Sequence, residues 1–194
     1  MKKVLMIMMV AMVLSSPQVK GQDVPDEDEA AAIVRRTGVY EQKRIVQVDG
    51  VKASTLYRRA MEALSDWTGT DGRSRAGLDY CDKDEGVVTY KGEFYNGFKK
   101  LLLGTQMPFY TDFTMKVRCK DGRAQMTVTV PTMHAVLDGK SRYWTMKEIV
   151  EANAKASSKK KEKATKNALS MRDGVELLLK SMEEALKKDD DDDF

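Results

Sequence analysis

His134 is the only histidine in a chain of 194 residues, and Cys81 and Cys119 are its only cysteines. These are the side chains suited to acid–base, nucleophilic or metal chemistry near neutral pH. As a general base or metal ligand, His134 would need carboxylates brought to it by the fold. No second histidine exists, and neither cysteine stands at the short spacing of a metal-binding pair. The simpler reading is an ordinary loop histidine after a hairpin, so no metal site and no cofactor are expected. Cys119 falls in the apolar row of a strand, which favours a core thiol. A Cys81–Cys119 disulfide is the alternative if the chain reaches an oxidising compartment.

The acidic runs offer less. Residues 82–86, DKDEG, are far shorter than an EF-hand calcium loop and lack its terminal glutamate, so they read as a solvated turn. The aspartates at 189–193 repel one another and read as a disordered tail. No glycine-rich phosphate loop, nucleophile elbow or HExxH helix occurs. The expected role is therefore a non-catalytic binding or adaptor domain for an envelope protein or glycan. A hydrolase or other enzyme with a site near His134 is the alternative.

The N-terminus argues for export. Lys2 and Lys3 precede an apolar run over 4–14, then Ser15, Ser16 and Pro17, the layout of a secretory signal peptide spanning residues 1–21. The run is shorter than the roughly 20 residues that cross a bilayer as a helix. A periplasmic or secreted location without an integral membrane anchor is expected after cleavage. Removing Lys2, Lys3 and Lys20 from the 33 basic residues makes them equal in number to the 30 acidic ones. A neutral mature chain gives no support to nucleic acid as a partner.

The elements that must position these groups follow from periodicity. Residues 22–39 read as a flexible acidic leader and 40–152 as one α+β domain. Residues 153–168 read as a Lys-rich helical or flexible linker, and 169–188 as an amphipathic C-terminal helix. A strand over 41–48 leads to a helix over 54–67 with Leu56, Ala60, Leu64 and Trp67 on its apolar face. Strands over 76–81 and 87–95 follow, residues 98–108 fit either helix or edge strand, and 132–143 read as a loop. Around Asp121-Gly122 two alternating runs predict a hairpin with Val117 facing Met126, Met115 facing Val128 and Phe113 facing Val130. Thr145 and Glu148 stand in capping-box spacing and start a further helix.

Two surfaces are candidates for binding. Lys91, Lys116, Arg118, Arg123 and Thr127 share the polar face of the sheet. Val175, Leu178, Met182 and Leu186 make a helical stripe that either returns to its own domain or enters a partner's groove.

The strand followed by DGVKASTLYRRAMEAL, the strand pair YCDKDEGVVTYKGEF, the hairpin DFTMKVRCKDGRAQMTVT and the helix start WTMKEIV together resemble a known family. It is the exported Bacteroidetes proteins with domain of unknown function 4468 (DUF4468) and a TBP-like fold, and the resemblance covers roughly residues 40–152. It implies a curved antiparallel β-sheet with two helices packed on one face, to which this chain adds a C-terminal helix. It implies no activity, and a fold shared with a DNA-binding protein does not transfer DNA binding.

Overall fold

The computed structural model describes residues 27–67, 77–101, 104–155 and 158–188. The expected signal peptide and the aspartate tail lie outside the described residues.

The hairpin at Asp121-Gly122 organises the molecule. β4 (Gln106–Lys120) and β5 (Arg123–Val130) pair antiparallel, with Val117 opposite Met126 and Met115 opposite Val128. This register puts the apolar residues of both strands on one face, and a slip of one residue would expose them all. β1 (Tyr40–Gln47) pairs along β5, while β3 (Val87–Lys100) and then β2 (Gly77–Asp82) continue beyond β4. The order is β1-β5-β4-β3-β2, and all pairs are antiparallel.

Where a loop was expected over 132–143, the chain forms a second hairpin. β6 (Thr132–Leu137) pairs with β4 at Phe109–Thr111, and β7 (Lys140–Thr145) pairs with β6. Its turn, Asp138-Gly139, has φ of 50° and 74°, the left-handed pair that a two-residue hairpin turn requires. Residues 98–108, ambiguous in sequence, contain the end of β3 and the start of β4, past an irregularity between Tyr95 and Phe98.

The helices cover the apolar face. α2 (Ala53–Trp67) buries Leu56, Ala60 and Leu64 against Met115, Val117, Met126 and Val128. α3 (Met146–Ala154) starts with the expected capping box: the Thr145 hydroxyl accepts from the Glu148 backbone N–H, and the Glu148 carboxylate accepts from the Thr145 backbone N–H at 2.8 Å. These bonds favour the charged form and hold the Glu148 carboxyl below its ordinary pKa. The leader is not wholly flexible. Residues 27–37 form α1 (Glu27–Thr37), whose Val34 and Ala30 reach the core, so a short apolar edge within the acidic segment suffices to dock it.

α4 (Ser158–Lys187) is one continuous helix, so the Lys-rich stretch from Ser158 onward is helical. Its apolar stripe faces its own domain, with Val175, Leu179, Met182 and Leu186 wholly excluded from water. Leu178, expected in that row, is half-buried, because the four-three-four spacing from Val175 to Leu186 puts Leu179 at the centre. Polar bonds fix the docking. Arg44 donates to both oxygens of Glu176 at 2.6 and 2.7 Å, and Arg59 donates to the Leu186 carbonyl at 2.9 Å near the helix C-terminus. The stripe proposed as a partner surface is thus taken up within the chain.

The candidate disulfide is not formed, since Cys81 and Cys119 are both free thiols. β3 runs between their strands, which puts them about two strand spacings, roughly 9–10 Å, apart. A disulfide needs Cα atoms within about 7 Å. Burial pushes the Cys119 thiol up to about 11, so it is a core group rather than a nucleophile.

Candidate functional site

His134 reaches the outer face of the sheet through a one-residue slip. Along β4, Thr114 is opposite Thr129, but Thr111 is opposite Met133, so β5 and β6 place three residues where β4 has two. Pro131 lies at the centre of this bulge, a position that suits a residue without an N–H. Up to Thr129 the odd-numbered residues face outward. Beyond the bulge Thr132 and His134 do, while Met133 turns into the core. A regular strand would have pointed His134 inward.

The neighbours of His134 come from three strands. Asp112 of β4 and Glu93 of β3 are directly paired and share its face. His134 Nδ1 lies 3.3 Å from Asp112 Oδ1, and Nε2 lies 3.6 Å from Glu93 Oε2. Thr132 donates its hydroxyl to Asp112 Oδ2 at 2.6 Å, the oxygen that also lies 3.4 Å from Nδ1, and this fixes the carboxylate. Tyr110 and Tyr143 flank the imidazole with ring centroids at 5.2 and 4.9 Å, and only 5% of His134 is exposed. The ring is therefore held in orientation by sterics and by charge. Both carboxylates are about a quarter exposed and line a shallow cleft of about 710 Å³, with Lys91, Ser141 and Tyr143 also on its walls.

Chemically, this is an imidazole with a carboxylate at each nitrogen. A neutral imidazole has one N–H to donate and one lone pair. Donation from Nδ1 to Asp112 leaves the Nε2 lone pair turned toward Glu93 and available to take a proton or a cation. One ligand atom from each of Glu93, Asp112 and His134 lies within 4.8 Å of the others, so the set can also hold a metal ion.

Sequence reasoning named His134 and missed its partners, although the signal was partly present. Glu93 lies in the same outward row as Lys91, and Asp112 in the row of Thr114 and Lys116. The pairing that unites the rows, and the bulge that adds His134, are not visible in the local pattern.

The other candidates are placed as follows. Lys91, Lys116, Arg118 and Arg123 are exposed on the outer face, with Thr127 half-buried between them and paired with both Lys43 and Lys116. Lys91 is bonded to Asp79 at 2.9 Å. Arg118 and Arg123 line a second shallow cleft with Ile45, Val87 and Gln125. Only Lys91 borders the His134 cleft, so the basic shelf and the histidine cluster adjoin along one face.

Among the described residues, no helix is long and apolar enough to cross a membrane. No curated protein matches the chain. Among solved structures, a DUF4468 family protein from Bacteroides ovatus is 13% identical and superposes with a TM-score of 0.62, over 79% of this chain and 90% of that one. A TBP-like protein from Parabacteroides distasonis is 16% identical with a TM-score of 0.55, over 78% of this chain and 95% of that one. At such identities the likeness concerns the fold alone. The sequence profile described as domain of unknown function (DUF4468) with TBP-like fold matches residues 43–133, a span that includes Glu93 and Asp112 and ends one residue before His134. Residues 43–133 of the chain thus match the DUF4468 domain, and its fold is TBP-like.

Proposed function

We infer that this is an exported hydrolase whose reactive centre is His134 with Asp112 and Glu93, acting on a polar envelope molecule, protein or glycan. The observation that carries the reading is the pairing of each nitrogen of a nearly buried imidazole with a carboxylate, between two tyrosines, at an open cleft. In this role Asp112 holds Nδ1–H and stabilises the charge that forms on the ring. Nε2 takes a proton from a water lying between it and Glu93. Lys91 on the cleft wall meets negative charge developing on the substrate. The shelf of Lys116, Arg118, Arg123 and Thr127 extends from this cleft as a surface for the rest of the substrate. The charged, apolar and small-residue order of residues 1–21 supports delivery to the periplasm or beyond.

The test is hydrolysis of chromogenic ester, amide and glycoside substrates by the purified protein beside its His134→Gln variant. A positioned acid–base group contributes on the order of 10²–10⁴-fold to rate, and a loss of that size in kcat/KM is expected. Any activity that survives intact in the variant belongs to another site and removes the hydrolase reading.

A non-catalytic binding role is the second reading, and the exposed row Lys116, Arg118 and Arg123 favours it. Envelope crosslinks through Lys116 that persist in His134→Gln would support it.

A further inference from the structure

We propose that the Glu93–Asp112–His134 cluster is a site for one divalent cation of the zinc class, with His134 Nε2 and Glu93 as direct ligands and Asp112 as the orienting group. The proposal rests on reading this cluster as the reactive centre; with the ion held, Nε2 would serve as a ligand rather than as the base, and the ion would lower the pKa of the water there in its place.

Two nitrogen–oxygen separations point to the ion. Thr132 fixes Asp112, and Asp112 stands 3.3–3.4 Å from Nδ1, a placement that suits the tautomer with hydrogen on Nδ1. A metal-bound histidine ordinarily donates its other N–H to a carboxylate in this way, which sets the tautomer and raises the basicity of the ligating nitrogen. Nε2 then aims a lone pair at the negative oxygen of Glu93 from 3.6 Å. Two electron-rich atoms held face to face repel unless a proton or a metal ion sits between them. The separation is longer than the 3.3 Å at Nδ1, and both exceed a charge-assisted hydrogen bond, which runs about 2.7–2.9 Å. It is close to the roughly 3.3 Å that separates two ligands each about 2.0–2.1 Å from a tetrahedral ion.

The surroundings agree with this assignment. Tyr110 and Tyr143 prevent the ring from turning away, so the ligand is preorganised. The cleft side is open, and with two protein ligands, one fewer than the three usual at catalytic zinc, water would fill the remaining positions on the ion. One imidazole and one carboxylate suit a borderline cation. Magnesium and calcium prefer oxygen ligands alone.

The experiment is isothermal titration of the untagged protein with zinc chloride, repeated on Glu93→Gln, His134→Asn and Asp112→Asn variants whose melting curves are checked for folding. One zinc per chain is expected in the parent and none at this site in Glu93→Gln or His134→Asn. In Asp112→Asn the stoichiometry stays while affinity falls about 10–100-fold, the effect of losing an orienting partner. Magnesium chloride at the same concentrations should not compete. Absence of stoichiometric zinc in the parent, or unchanged binding in a folded Glu93→Gln, overturns the proposal. The two ideas fail separately. Zinc bound without any His134-dependent turnover leaves the ion site and removes the hydrolase. His134-dependent turnover that is indifferent to chelators, with no zinc bound, does the reverse.

Discussion

Asp112 and His134 face each other at 3.3 Å on neighbouring strands because the sheet gains one residue at Pro131 between them. The bulge reverses which residues of the strand look outward, and so delivers a histidine from what would be a core position to a carboxylate on the open face. Bulges beside functional sites commonly re-aim a side chain in this manner.

Thr132 links the bulge to the cluster, since its hydroxyl donates to Asp112 at 2.6 Å. Thr132→Val keeps the shape and removes the donor. The expected cost is about 1.5 kcal/mol, the lower end for a bond to a charged group, because the carboxylate is partly exposed. Urea unfolding should show a lower midpoint with an unchanged slope.

The docking of α4 predicts a contrast between two leucines two positions apart. Leu179 is wholly buried while Leu177 is 68% exposed. Leu179→Ala should cost about 2–5 kcal/mol by opening a cavity, and Leu177→Ala less than about 0.5 kcal/mol. Equal effects in thermal unfolding would mean that the helix does not sit on the sheet through this face.

Gly174 lets α4 approach the sheet. A Cβ built there would run into the ring of Phe94. Alanine normally improves a helix by about 1 kcal/mol over glycine, yet Gly174→Ala should destabilise by about 1–3 kcal/mol through overpacking. Adding Phe94→Leu should recover part of the loss, measured as a double-mutant cycle.

The two thiols should differ in reactivity. Cys81 is exposed and Cys119 buried, and burial raises the latter from 9.0 to about 11. A thiol reagent at pH 8 should modify Cys81 at once and Cys119 only after unfolding. The folded chain keeps the Cys119 proton between pH 9 and 11 while the unfolded chain has released it. The contribution of this group to stability is therefore full below the lower value and falls as pH rises through that window. Cys119→Ser should flatten that alkaline limb in unfolding measurements.

Much of the fold was legible because particular residues carried it. The alternation through Met115 and Val117 fixes the central register, and Thr145 with Glu148 marks the start of α3. The second hairpin was missed because three buried residues in a row, Met133 to Ala135, break the alternation that marks a strand. Asp138-Gly139 was its available cue. Leu178 was chosen over Leu179 because helical spacing of three or four residues admits both. The site was half legible: His134 could be named, but its carboxylates are 22 and 41 positions away in sequence and meet it only through strand pairing.

Glu93, Asp112 and His134 as one reactive, cation-holding centre can be checked by anomalous diffraction at the zinc absorption edge from crystals grown with zinc. A peak is expected between His134 Nε2 and Glu93, about 2.0–2.2 Å from each, with Asp112 on Nδ1. Fully diffracting crystals with zinc at other positions and none between these two residues would contradict it.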